Sequence, residues 1–326
     1  MTITKSALVA SIVAAISLVP QLAVAEEYPH KPIRMIVGFP PGGGADIIAR
    51  LVSEQLGGKL GTQIVVDNRP GAGSSTATGI AAKADGDGYT IFFATASFTI
   101  NPNLYKRVPY DPIKDFVPIS KVASSPFVVV ARPSLQANTV KELLALAKSK
   151  PGQLNYSTGG NGSTGHLAGE LLKSMAGVQI QHVPYKGLAP ALADLLGGRV
   201  DLTMSSLPSC IAFLKRGKLK ALAVTSAKRT PLLPSVATVA ESGLDGYDVD
   251  QWYGVFAPRG TPPQIVNKLN IALAAFLSKP DESITERFAS LGATPLVSTP
   301  KDFRAYVVSN LAYWEKAVQQ ANAKVE

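Results

Sequence analysis

Residues 33–56 read IRMIVGFPPGGGADIIARLVSEQL. Ile33 to Val37 is a short apolar run. Phe39-Pro40-Pro41 turns it into three consecutive glycines, after which Ile47, Ile48, Leu51, Val52 and Leu56 recur at helical spacing. A strand that passes through a glycine turn into an amphipathic helix is the repeating unit of an α/β fold with parallel strands. Gly42, Gly43 and Gly44 let backbone N–H groups converge with no side chains in the way. The first N–H groups of a helix lack intrahelical partners and carry partial positive charge. The stretch therefore fits an anion cradle, and it also fits a plain strand-to-helix turn. It is not a nucleotide P-loop, because Ala45-Asp46 stands where that motif needs Lys and Ser/Thr, and its glycines do not have dinucleotide spacing. Without a lysine, and with Asp46 nearby, a carboxylate suits the turn better than a phosphate chain.

The unit repeats along the chain. A strand from Gln63 to Asp67 runs into the turn-rich Asn68–Gly73, and Ser74 or Ser75 caps a helix through Ala84. Tyr89 to Ala94 is a third strand, ending at Thr95-Ala96-Ser97, where open α/β sheets place ligands. Residues 101–118 read as irregular, with four prolines. Val117–Ala123 and Phe127–Ala131 read as two strands broken at Ser124-Ser125-Pro126, the first crossing between domains. Thr139 opens a helix through Lys148, with Glu142 completing a capping box.

Asn155 to His166 is a second glycine- and hydroxyl-rich turn into a helix, whose apolar face is Leu167, Leu171, Leu172 and Met175. Ser157, Thr158, Asn161, Ser163 and Thr164 add side-chain donors to its backbone N–H groups. Two such turns, one in each half, predict a ligand held across a cleft. His166, in the first helical turn, reads either as a ligand contact or as a local structural partner. Val183–Gly187 places Tyr185 at another strand end, with Lys186 solvated, and Arg199–Met204 is a strand ending in Ser205-Ser206. Asp248–Ala257 reads as the return crossing, where Trp252 either closes over ligand or braces the hinge. Three helices and a short strand from Thr294 complete the chain, the last helix packing through Phe303, Tyr306, Val307 and Leu311.

The first residues read as a removable leader: Lys5, an apolar run from Ala7 to Val19, and Ala23-Val24-Ala25 as a cleavage signal before Glu26. The apolar run is shorter than the ~20 residues a spanning helix needs, so residues 1–25 are expected to be removed on export, to the periplasm in a two-membrane bacterium. Lys and Arg exceed Asp and Glu by 9 in the full chain. The excess is scattered and lacks an aromatic-basic array, which argues against nucleic acid and for a mild field that draws in small anions. The single Cys210 forms no internal disulfide and reads as a buried small residue. His30, His166 and His182 form no metal-spaced cluster, and no nucleophile elbow is present. No metal or cofactor is expected.

Several motifs together resemble one family. Their carriers are Phe39-Pro40-Pro41-Gly42-Gly43 with Asp46 and Arg50, Val66 through Gly73, Asp87-Gly88-Tyr89-Thr90, Tyr156-Ser157 through His166, Val183 through Gly187, and Trp252 through Pro258. In order and spacing they resemble the periplasmic solute-binding proteins of tripartite tricarboxylate transporters, the Bug family of Bordetella and relatives, over essentially the whole mature chain. The resemblance implies a type II-like periplasmic-binding-protein fold. Each domain would be a mainly parallel sheet flanked by helices, with two crossing strands as hinge: domain 1 from 26–123 plus 250–326, and domain 2 from 124–249. It implies that Phe39, Gly43, Gly44, Ala45 and Asp46, with Ser157, Gly160, Asn161, Ser163 and Thr164, hold a ligand carboxylate. The far end of the ligand would be read by Thr95, Ser97, Tyr185, Ser205, Ser206 and Asp250, with Ala96 beside them. It implies a small organic carboxylate delivered by a monomeric receptor to a two-component membrane permease. A receptor that presents ligand to a signalling protein stays open as an alternative, and a hydrolytic enzyme as a more distant one. One departure stands out: the family commonly follows Gly71-Ala72-Gly73 with another glycine, and here Ser74-Ser75-Thr76 follows, either as polar partners for the ligand or as a different helix cap.

Overall fold

The computed structural model describes residues 27–323; the expected leader, 1–25, lies outside them. β1 (Ile33–Val37) is the spine of the first half, with β2 (Ile64–Asn68) and β3 (Thr90–Thr95) parallel to it on either side. Between them run α1 (Gly44–Leu60) and α2 (Ser75–Ala82). Gly61, in the left-handed region at φ 67°, ends α1. Where the sequence reads as irregular from Asn101, the chain is still helical at first: α3 (Ser97–Leu104) runs to Leu104 with Pro102 inside it.

β4 (Phe116–Ala131) is one strand of 16 residues. The expected break at Ser124-Ser125-Pro126 is absent because β9 (Asp250–Pro258) pairs alongside through that segment, Pro126 opposite Asp250 and Ser125 opposite Gln251. A neighbouring strand supplies the order that the local sequence does not. Beyond Pro126, β4 leaves β9 and pairs with β7 (Leu202–Ser206) and β8 (Lys220–Val224). There the second half begins, with β5 (Asn155–Thr158) parallel to both β7 and β6 (Gln181–Pro184). Its helices are α4 (Val140–Ser149), α5 (Thr164–Ala176), α6 (Leu188–Leu196) and α7 (Leu207–Lys215). The α/β class and the pair of crossing strands are as expected. Each half is a mixed sheet rather than a mainly parallel one, since a strand that carries the chain out and one that brings it back must run antiparallel.

Thr139 caps α4 by accepting from Glu142 N–H at 3.1 Å, while the Glu142 carboxylate reaches back to Asn138 N–H rather than to Thr139 itself. After β9 come α8 (Pro263–Leu277), α9 (Glu282–Ser290), the two-residue β10 (Thr294–Pro295) beside β4, and α10 (Pro300–Ala321). α10 lies against α3 of the first half and α5 of the second. It braces the hinge: the Trp252 indole N–H donates to Asn310 at 2.9 Å and its ring meets Phe303 edge-on. Cys210 is fully buried, and burial pushes its thiol up to about 12, so it is a packing residue.

The second half encloses a titratable stack. Tyr156, His182 and His166 follow one another with ring centroids 4.9 and 4.4 Å apart. Desolvation lowers the His166 pKa, and desolvation, then the neighbouring His166, pushes His182 down to about 3. The folded chain thus binds fewer protons than the unfolded chain between about 3 and the ordinary 6.5. Stability is complete above 6.5 and is lost as pH falls through that window, by on the order of 3 kcal/mol after allowing for solvent screening of the partly exposed His182. Thermal melts from pH 7.5 to 4 should show this decline in the natural chain and a shallower one in His182→Gln; parallel profiles would remove the stack as the cause.

Candidate ligand-binding site

The two glycine-rich helix starts face each other. α1 begins at Gly44 behind Gly43, which has no side chain to cap it. α5 begins at Thr164 behind Ser163, whose hydroxyl accepts from His166 N–H at 3.2 Å and so satisfies one N–H of the first turn. Between them lies a niche of about 30 Å³. Its walls are Phe39, Pro40, Gly43, Gly44 and Ala45 from the first half, Phe127 and Gln251 from the crossing strands, and Gly159, Ser163, Thr164, Leu188 and Ser206 from the second half. None of these wall residues is charged.

Buried donors surround the niche. Thr164 Oγ1 donates to Gln251 Oε1 at 2.8 Å and lies 3.5 Å from Ser97 Oγ across the interface. The Tyr253 hydroxyl is fully buried with no hydrogen-bond partner among the described residues, and it lies 3.3 Å from the point a Cβ on Gly44 would occupy. Burial pushes its phenol far up, and Ser206, near but not completing a hydrogen bond, opposes that push only in part. The phenol therefore remains a neutral donor. Helix-start N–H groups and neutral hydroxyls converging on an uncharged niche suit an anion with one charge.

Asp46 does not line the niche. Its carboxylate accepts from Gly42 N–H, Arg50 Nε and Asn68 Nδ2, each at 3.0 Å. Burial alone would raise its pKa, but the Arg50, Gly42 and Asn68 hydrogen bonds outweigh it and hold the carboxyl below the ordinary range. Asn68 Nδ2 also donates to Phe39 O at 2.8 Å. Asp46 thus shapes the loop whose N–H groups face the niche. Arg34 and Arg69 both pair with Asp67, so all three arginines near the loop are engaged with carboxylates.

A larger chamber of about 610 Å³ adjoins the niche and shares Phe39, Pro40 and Gly159 with it. Gly38, Pro70 through Ser74 and Tyr105 form one wall; Gly160, Asn161 and Pro184 through Gly187 form the other. The halves touch around it: Tyr105 Oη donates to Asn161 O at 3.0 Å.

Among the expected site residues, Phe39, Gly43, Gly44, Ala45, Ser163, Thr164 and Ser206 line the niche, and Gly160, Asn161 and Tyr185 line the chamber. Others lie behind these walls. Ser157 Oγ turns into the sheet, 2.5 Å from Thr203 Oγ1, and Ser205 Oγ donates to the carbonyl of Ser206. Thr95 and Ala96 are buried, Thr95 Oγ1 without a partner among the described residues. Ser97 reaches the interface only through Thr164. His166 is buried under the loop, its Nδ1 3.5 Å from Gly162 N–H. Asp250 lies outside both spaces, on the Trp252 side of β9 towards α10. Protein crowding pushes its carboxyl upward although the residue keeps an exposed surface.

Gln251, one pleat from Asp250, is a wall residue that sequence reasoning missed, as are Pro40, Phe127, Gly159 and Leu188 in the niche and Tyr105 and Lys186 among those in the chamber. The signal was the alternation of β9, unreadable until its inner face was known. The Ser74-Ser75-Thr76 departure divides: Ser74 lines the chamber, while Ser75 Oγ accepts from Asn101 Nδ2 at 3.0 Å and supports the turn.

Two α/β halves joined by a pair of crossing strands, with an uncharged niche between them, define the class of two-domain solute-binding receptors. Residues 48–323 match the family described as "Tripartite tricarboxylate transporter family receptor". The chain is 36% identical over 304 residues to protein BugT of Bordetella pertussis, covering 93% of each chain. It superposes on Rpa4515 of R. palustris, solved with adipate, with a TM-score of 0.88 and 40% identity over 92% of this chain and 100% of that one. With MatC of Rhodopseudomonas palustris, solved with malate, the TM-score is 0.84 and the identity 31%, over 89% of this chain and 100% of that one. The chain belongs to the tripartite tricarboxylate transporter receptor family, as a receptor of the Bug type.

Proposed function

We propose that the protein is a periplasmic receptor that closes on a small organic carboxylate and presents it to a two-component membrane permease. The observation that carries this is the uncharged niche between two helix starts, with the buried Tyr253 hydroxyl beside it and without a hydrogen-bond partner among the described residues. One ligand carboxylate would take the N–H groups at the start of α1 and the Thr164 region. The bodies that move would be 26–123 with 250–326 on one side and 124–249 on the other, bending where β4 passes from β9 to β7. Ligand that contacts both bodies favours the closed state by its differential affinity. Solved relatives bound to adipate and to malate support the ligand class, and the family's description supports the permease partner. Catalysis finds no support in the buried, high-pKa Cys210 or the lowered, stacked histidines.

A thermal-shift screen against organic acids, aromatic acids, amino acids, sugars and cations tests this. A carboxylate at a hundred times its dissociation constant should stabilise the fold by ~2.7 kcal/mol. Melting points that move only with neutral sugars or cations would contradict the proposal.

A further inference from the structure

The loop from Gly159 to Gly162 supplies walls to both spaces: Gly159 lines the niche, and Gly160 and Asn161 line the chamber. It also meets the first half, since Asn161 O accepts from Tyr105 and Gly162 lies against Gly73. Three of its four residues are glycine, and Gly160 and Gly162 hold φ of 116° and 76°. A glycine backbone of this kind has many conformations open to it and no side chain to select one. The selection has to come from outside the loop.

We infer that His182 and His166, neither of which lines the niche or the chamber, are positioning residues for binding: their ring nitrogens hold the Gly159–Gly162 backbone in the shape that takes ligand. The inference rests on the carboxylate-receptor reading and extends it to two residues behind the wall.

His182 acts through Thr158. Gly160 N–H donates to Thr158 Oγ1 at 3.2 Å, and that oxygen lies 2.8 Å from His182 Nε2. The hydroxyl has one hydrogen, and its other acceptor, Gly160 O, is 3.4 Å away. The shorter separation directs the hydrogen to His182 and leaves an oxygen lone pair for Gly160 N–H. The run from Gly160 through Thr158 to His182 thus points one way, and each bond polarises the next. His166 acts on the other glycine. Its Nδ1 stands 3.5 Å from Gly162 N–H, while its backbone N–H is held by Ser163 Oγ at 3.2 Å.

The two imidazoles fix each other. They stack with centroids 4.4 Å apart, and Tyr156 stacks on His182 at 4.9 Å. The Tyr156 hydroxyl donates to Glu170 at 2.6 Å, and Glu170 is paired with Lys173 at 2.7 Å. Desolvation lowers the pKa of both histidines, so at neutral pH each ring keeps the acceptor nitrogen that an imidazolium lacks.

The test pairs calorimetric titration with amide exchange followed by NMR in the unliganded protein, using adipate, malate and benzoate as probes. His182→Phe keeps a ring in the stack and removes the nitrogen. It should weaken whichever probe binds the natural chain by about tenfold, as the competent loop conformation becomes a minor one, and should speed exchange at Gly160 but not at Gly162. His182→Gln returns a polar partner to Thr158 and should recover affinity to within about threefold. His166→Leu should loosen Gly162 in the same way, and His166→Asn, which keeps an acceptor, should restore it; either histidine therefore decides the matter where a variant of the other does not fold. Natural affinity and natural Gly160 exchange in His182→Phe would reduce the stack to packing and overturn the inference, as would equal losses in the phenylalanine and glutamine variants. Both results leave the carboxylate receptor standing. If none of the three probes binds the natural chain, the receptor reading fails and this role fails with it.

Discussion

Gly44→Val is expected to abolish carboxylate binding in a chain that still folds. Gly44 is the first residue of α1, and a Cβ there would lie 2.3 Å from Ser206 Oγ, 3.2 Å from Ser206 Cβ and 3.3 Å from the Tyr253 hydroxyl. The first of these is far inside van der Waals contact. Ser206 belongs to the opposite half, so a side chain at 44 wedges the jaws and fills the niche together. The first turn of a helix tolerates valine, and overpacking of about 1–3 kcal/mol falls mainly on the closed state, where Ser206 comes near. Affinity should drop at least a hundredfold, about 2.7 kcal/mol. Calorimetry beside circular dichroism checks both halves of this expectation. Binding within threefold of the natural chain would show that α1 does not face the ligand.

Gly73→Ala should give the second-largest effect, by holding the jaws apart without touching the niche. Gly73 sits at φ 57° in the first half, and a Cβ there would fall 2.5 Å from the carbonyl carbon of Gly162 and 2.7 Å from Asn161 O in the second. Both are backbone atoms, which cannot swing aside as a long side chain can. Gly187 meets the other half at a side chain, its Cβ position 2.2 Å from the Pro40 Cγ. Alanine at 73 penalises the closed form specifically, and every kilocalorie of that penalty is taken from the apparent affinity. A tenfold to hundredfold weakening is expected. Small-angle scattering at saturating ligand should show a larger radius of gyration than in the natural chain. Full compaction with unchanged affinity would rule out the Gly73–Gly162 contact as a closing surface.

Much of this site was legible in residues 33–56 and 155–166. Glycine runs between an apolar strand and an amphipathic helix admit few geometries, and both strand-to-helix turns form as read. Asp46 was legible as an awkward neighbour for an anion, and the structure gives it three donors of its own. Side-chain direction was harder. Ser157, Ser205 and Thr95 stand where a ligand would be sought, yet they point into the sheet or the interior. Near strand ends, adjacent hydroxyls alternate faces, and a one-residue difference decides between wall and core.

The sequence by itself determined the strand-helix units, the two glycine-rich helix starts and the match to a receptor family, because these depend on local backbone freedom and on periodicity within one segment. Only the tertiary structure decided that β4 runs unbroken through Ser124-Ser125-Pro126, that Gln251 rather than Asp250 lines the niche, and that Ser74 and Lys186 share one chamber. Each of these depends on partners far away in the chain. Pairing with β9 keeps a turn-like tripeptide extended, and the packing of α10 against the Trp252 side of β9 fixes which pleat faces the niche.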